Sequence, residues 1–219
     1  MLEYLPVLIE IAKRWQSGCC NIPIQLLVAH AMNAFQEPMR KRPLSVSEYH
    51  LMGEVGIFAP GERVELIEGE IIDMPPIGST HSGIVDHMTR LLVQAVGDKA
   101  IVRVQNPVVL SDLSEPAPDF ALLKPRNNFY KDATPSARDV LLLIEVSDST
   151  LRYDRDIKAP LYARHGIPET WIIDVANAQV TIHRDAGKQG YLNQFKPDDW
   201  QRVAPLQISD VTVDLSDLF

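Results

Sequence analysis

Apolar positions along this chain recur with two periods, and the changes of period mark its elements. Ile84, Val85, Met88, Leu91, Leu92, Ala95 and Val96 follow one another at helical spacing. They predict a long amphipathic helix, capped by Ser79 or Thr80 and closed by Gly97. Ser45-Val-Ser-Glu48 is a capping-box signature for an earlier helix that ends near Gly53 or Gly56. Residues 63–67 and 70–74 flank Glu68-Gly69 and predict a hairpin with a two-residue turn. Short strands are expected at 100–105 and 108–110, separated by Pro107, and a further strand at 119–123 follows the connector 114–118. Residues 125–138 are polar and predict a mobile surface loop. A strand over 140–147 precedes a helix from about Arg155 to His165 that ends at Gly166; Pro160 leaves its start open by several residues. A second hairpin is expected from 170–175 and 179–183, and short edge strands from 184 to 219. This order predicts a mixed α/β (α+β) domain with a central sheet flanked by helices.

One strand carries more than structure. Leu141 to Ile144 is an apolar run suited to a strand covered on both faces, and it leads into Glu145. A carboxylate there must be paired, hydrogen-bonded or bound to a metal. Alternation puts Asp119, Ala121 and Leu123 on one face of their strand, and Leu141, Leu143, Glu145 and Ser147 on one face of the next. Neighbouring strands would bring Asp119 and Glu145 together, an oxygen pair suited to Mg²⁺ or Mn²⁺. Lys158 on the following helix could stabilise charge on a reacting phosphate. Each residue alone also fits an ordinary role: Asp119 as a turn or cap, Glu145 as a satisfied buried acid, Lys158 in a surface ion pair with Asp154. His81 and His87 read as solvated or capping histidines.

Composition narrows the classes. A chain of 219 residues with 46% hydrophobic and 23% charged residues is ordinary for a globular protein. A net charge of −8 argues against coating nucleic acid through bulk positive charge. Cys19 and Cys20 are adjacent and give no zinc spacing, which favours a reducing, cytoplasmic setting. No apolar run is long enough for a membrane span. Residues 1–38 read as an N-terminal appendage or upstream-start extension, since Met39 looks like a fresh start; residues 39–219 form the expected domain.

The ordered set Glu65-Leu-Ile-Glu-Gly-Glu70, His81, Pro118-Asp119, Ile144 to Thr150, Asp154, Lys158, Tyr162 and Gly166 to Trp171 resembles the Uma-type restriction endonuclease family, a branch of the PD-(D/E)xK nuclease superfamily. The resemblance covers about residues 43–219. It implies a restriction-endonuclease-like core, metal ligation by Asp119 and Glu145, and DNA as substrate. The superfamily places lysine two residues after the glutamate, where this chain has Ser147; the family's pattern implies that Lys158 replaces it. Glu70 is carried over as a metal- or water-orienting carboxylate, Glu65 as a structural residue, Tyr162 as packing beside the site or as core, and Trp171 and Ile173 as core. The expectation is a Mg²⁺-dependent endodeoxyribonuclease that hydrolyses phosphodiester bonds with activated water, working as a homodimer. The alternatives are an inactive nuclease fold kept as a binding or interaction module, and a Mg²⁺-dependent hydrolase of small phosphate esters or nucleotides.

Overall fold

Ser45 accepts the Glu48 N–H while the Glu48 carboxylate reaches back to the Ser45 N–H, and this reciprocal cap starts α1 (Val46–Glu54). The computed structural model describes residues 41–219, so the expected appendage over 1–38 lies outside the described residues. β1 (Val64–Ile67) and β2 (Glu70–Asp73) form the first hairpin. Glu68 and Gly69 both take positive φ, as a two-residue turn requires. Any Cβ at position 69 would also collide with Pro43.

The long helix α2 (Ser79–Val96) buries Ile84, Val85, Met88, Leu92 and Val96, the apolar stripe legible in the sequence. Its N-cap is Gly78, not Ser79 or Thr80, and no side chain caps it. At its other end Gly97 takes positive φ.

Six strands build the main sheet in sequence order: β3 (Ile101–Val104), β4 (Phe120–Leu123), β5 (Val140–Ser147), β6 (Glu169–Asp174), β7 (Gln179–Gly187) and β8 (Gly190–Phe195). All neighbours are antiparallel except β5 and β6, which are parallel and therefore need a crossover. The strand expected at 108–110 is absent: the N–H groups of Val108 and Leu110 go to Pro116 and Ser114, but Pro116 has no N–H to return and Ser114 donates to Ser111, so no ladder forms, and Val109 donates to Pro135 on the other side. Nor is the end of the chain only edge strands. Val203, Val211, Val213, Leu215 and Leu218 are buried in the core beneath the sheet face that α2 covers.

The crossover is one continuous helical run in three parts: α3 (Leu151–Tyr153), a π-turn at Asp154–Lys158, and α4 (Ala159–Arg164). The Ala159 N–H bonds to the Asp154 carbonyl, five residues back. Pro160, which donates no N–H, sits just after this widened turn. The helix thus begins four residues before the expected Arg155.

The two faces of the sheet have different neighbours. Phe120, Leu122, Ile144, Val146, Trp171 and Ile173 pack with α2 and the C-terminal segment. Ala121, Leu123, Leu143 and Ile172 pack with Leu161 and Tyr162 of α4 and with Ile67 of the first hairpin. A register shift at Leu122/Leu123 moves Leu141 to the α2 side, so the expected face of β5 holds from Leu143 onward.

Candidate active site

Phe120 pairs with Ile144 and Ala121 with Leu143, so antiparallel register sets Asp119 beside Glu145 on the face turned away from α2. The Val146 N–H donates to Asp119 Oδ2 at 2.8 Å, and Gln105 Nε2 donates to Oδ1 at 3.0 Å. His81 Nε2 lies 3.1 Å from the same Oδ1. Burial pushes the Asp119 pKa up, but His81, Gln105 and the Val146 N–H outweigh it and hold the group below its ordinary value. Asp119 is therefore an ionised, oriented carboxylate at neutral pH.

Glu145 is 3% exposed. The Tyr162 hydroxyl donates to its Oε1 at 2.5 Å, and Lys158 Nζ lies 3.3 Å from the same oxygen. Lys158 Nζ is also 3.1 Å from Glu65 Oε2, which accepts the Ala117 N–H. Next to this cluster Asp154 accepts from the Ser147 and Thr150 hydroxyls. Three carboxylates (Glu65, Glu145 and Asp154) thus act on one buried ammonium, and Asp119 adds a fourth negative charge felt at Glu145. That excess of negative charge explains two shifts. Burial opposes the charged form of Lys158, yet Glu145, Glu65 and Asp154 raise its pKa, so it stays cationic. Burial raises the Glu145 pKa well above the carboxylate range, Lys158 offsetting it only in part while Asp154 and Asp119 add to it.

These groups open onto a cleft of about 300 Å³ bounded by residues 74–78, His81, Asp148 and Tyr153. Its donor chemistry suits a hard divalent ion: Asp119 and Glu145 present carboxylate oxygens from adjacent strands at its wall. Among the described residues no three His, Cys, Asp or Glu side chains stand together as a ready cation cage. An ion held by the pair would keep several waters, as Mg²⁺ does.

The sequence expectations sort clearly against this geometry. Asp119, Glu145 and Lys158 meet in one place. Lys158 is buried and paired with two glutamates, so its reading as a surface partner of Asp154 falls. Ser147 spends its hydroxyl on Asp154, and the ammonium near Glu145 arrives from the crossover helix instead. Glu70 shares the hairpin face of Glu65 but is exposed, stands about 7 Å nearer the turn and does not line the cleft. Glu65 takes the inner position instead. His81 is neither solvated nor a cap: its Nε2 faces Asp119 and its Nδ1 is buried without a partner among the described residues. His87 lies on the outer part of α2 beside Arg90. Tyr162, Trp171 and Ile173 are buried, as expected. Arg63 and Tyr153 also line the cleft, although nothing in the linear pattern singled them out.

A family model, Uma2, described as "putative restriction endonuclease", matches residues 46–216. Among solved structures the chain is similar to a protein described as a putative nuclease belonging to DUF820 from Anabaena variabilis ATCC 29413. The two are 19% identical with a TM-score of 0.59, over 81% of this chain and 98% of that one. At that identity the likeness shows the fold. No curated protein matches.

Proposed function

The chain belongs to the Uma2 family of putative restriction endonucleases, and on that premise we propose that it is a metal-dependent endonuclease hydrolysing phosphodiester bonds in DNA. The observation that carries this reading is the meeting of Asp119, Glu145 and Lys158, from β4, β5 and the crossover helix, at one cleft. Asp119 and Glu145 would hold Mg²⁺ or Mn²⁺, which when bound acidifies water and neutralises phosphate charge.

The remaining chemistry belongs to the chain's own residues. The hydrogen bonds to Asp119 fix the direction of its oxygens. Tyr162 orients Glu145 from below. Glu65 and Glu145 keep Lys158 charged and aimed at the cleft, where its third N–H can steady negative charge developing on the phosphate. Cutting both strands of a duplex calls for two such clefts, hence a homodimer, which sedimentation of the DNA-bound protein would reveal.

Plasmid nicking by purified protein in Mg²⁺ or Mn²⁺ tests the reading, with EDTA and Lys158→Ala as controls. Nicking that requires metal and disappears in the variant is expected. Nicking that survives the variant would remove Lys158 from the mechanism. The small size of the cleft favours one rival, hydrolysis of a small phosphate ester. Turnover of a model diester without any cut in DNA would establish that rival.

A further inference from the structure

Tyr153 and Arg63 line the cleft but orient neither member of the Asp119–Glu145 pair. Tyr153 is the last residue of α3, immediately before the π-turn. An ideal α-helix would set residues five apart about 140° around its axis. The i→i+5 turn draws Tyr153 and Lys158 nearer to one side, and both reach the cleft. The Tyr153 hydroxyl is closed off from solvent and has no hydrogen-bond partner among the described residues. A buried hydroxyl left so is a standing penalty in the free protein, and it invites a ligand oxygen. Burial, then the charge of Glu65, keeps its pKa well above the ordinary tyrosine value, so it remains a neutral O–H able to donate.

Arg63 stands just before β1 and is half-buried. Apart from Lys158, whose ammonium Glu65 and Glu145 already hold, it is the one permanently cationic side chain among the described residues lining the cleft. Its charge is felt at His81, on the Asp119 side, whereas Tyr153 feels Glu65, Lys158, Asp154 and Glu145. Arg63 reaches the cleft from the open end of the first hairpin and Tyr153 from the end of α3, so two different elements supply them.

We infer that Tyr153 and Arg63 form a phosphate-positioning subsite, the tyrosine hydroxyl and the guanidinium each donating to a non-bridging oxygen of the phosphodiester that lies over Asp119 and Glu145. This rests on the reading of the cleft as a phosphodiesterase site. It adds the two side chains that hold the substrate phosphate before any bond is broken. A guanidinium suits a phosphate because it donates in a planar fork, and a neutral phenol adds direction without adding charge.

The test uses Tyr153→Phe, which removes one oxygen and strands no partner, and Arg63→Gln. Binding of inorganic phosphate is measured by calorimetry in Mg²⁺ buffer, beside plasmid nicking and thermal melting. Melting like that of wild type is expected for Tyr153→Phe, with phosphate affinity weakened about ten-fold in each variant and nicking kcat/KM reduced about ten-fold or more. Phosphate affinity equal in wild type and variants would overturn the subsite, as would a wild type that takes up no phosphate. Phosphate binding that depends on both residues, without any nicking of DNA, would uphold the subsite while removing the endonuclease reading. Nicking by the variants at the wild-type rate would overturn the subsite and leave the endonuclease.

Discussion

Two buried glutamates on adjacent strands, Glu145 on β5 and Glu169 on β6, show how differently one fold can use the same side chain. Parallel register sets Glu145 opposite Ile172, so Glu169 lies three positions back along the pair and faces the α2 side of the sheet. Glu169 is fully closed off. Its Oε1 accepts from Trp171 Nε1 at 2.8 Å and from Arg184 at 2.8 and 2.9 Å, and its Oε2 accepts the Leu206 N–H at 2.5 Å. Nothing remains for a ligand to supply. Glu145 shares one ammonium with Glu65, sits among further carboxylates, and looks onto a cleft whose wall holds buried polar atoms without partners among the described residues. A buried charge with all its partners fixes structure; a buried acid whose burial is only partly offset, at an open cleft, is poised for a cation.

The sharpest way to break this contrast is Glu145→Gln. Loss of a metal ligand is expected to lower DNA nicking at least about a thousand-fold while the protein still folds, as steady-state cleavage and circular dichroism would show. Next comes Glu169→Ala. It leaves the Arg184 guanidinium without its carboxylate, and a stability loss of about 3 kcal/mol is expected in urea denaturation, with nicking per folded molecule unchanged. A large, specific loss of nicking in this variant would blur the distinction between the two sites.

His183 extends the structural side of the comparison to pH. The residue is 2% exposed, both ring nitrogens lack partners among the described residues, and burial lowers its pKa to about 4. Below the ordinary histidine pKa of about 6.5 the unfolded chain takes up a proton that the folded ring refuses. Stability therefore falls as pH drops from about 6.5 towards about 4, by about 2 kcal/mol after allowance for solvent near the ring. His183→Phe, next to Tyr191, is expected to flatten that part of the urea-midpoint profile, whereas wild type shows the slope. The smallest effect belongs to Tyr162→Phe. Glu145 loses one hydrogen bond and keeps Lys158, so nicking is expected to fall about five-fold with little change in melting.

Much of this contrast was written in the sequence and part of it was not. Apolar periodicity located α2, both hairpins and β5, and strand alternation put Asp119 and Glu145 on one face because both depend on nearest-neighbour geometry. That Lys158, and not position 147, brings an ammonium to Glu145 was also legible, since the family's order of residues survives in the chain. What could not be read were features set by distant contacts. The π-turn that carries Asp154 and Lys158 has no residue signature apart from Pro160, which the pattern took only as an obstacle to the helix. The role of Glu65 depends on where the first hairpin docks, and alternation within that hairpin puts Glu65 and Glu70 on the same face. The strand expected at 108–110 failed because a short apolar segment does not reveal whether the neighbour that accepts its N–H groups can donate in return, and Pro116 and Ser114 do not. Glu145 closes an apolar run and Glu169 opens one, but which partners each meets is set by elements that dock from elsewhere.

The most direct measurement is a calorimetric Mn²⁺ titration of wild type, Glu145→Gln and Glu169→Gln, each first checked for native circular dichroism. Mn²⁺ uptake by wild type and Glu169→Gln, with its loss in Glu145→Gln, is the expected result. Equal Mn²⁺ uptake by wild type and Glu145→Gln, or none by wild type, would contradict the proposed assignment of the Asp119–Glu145 pair as a metal-holding centre.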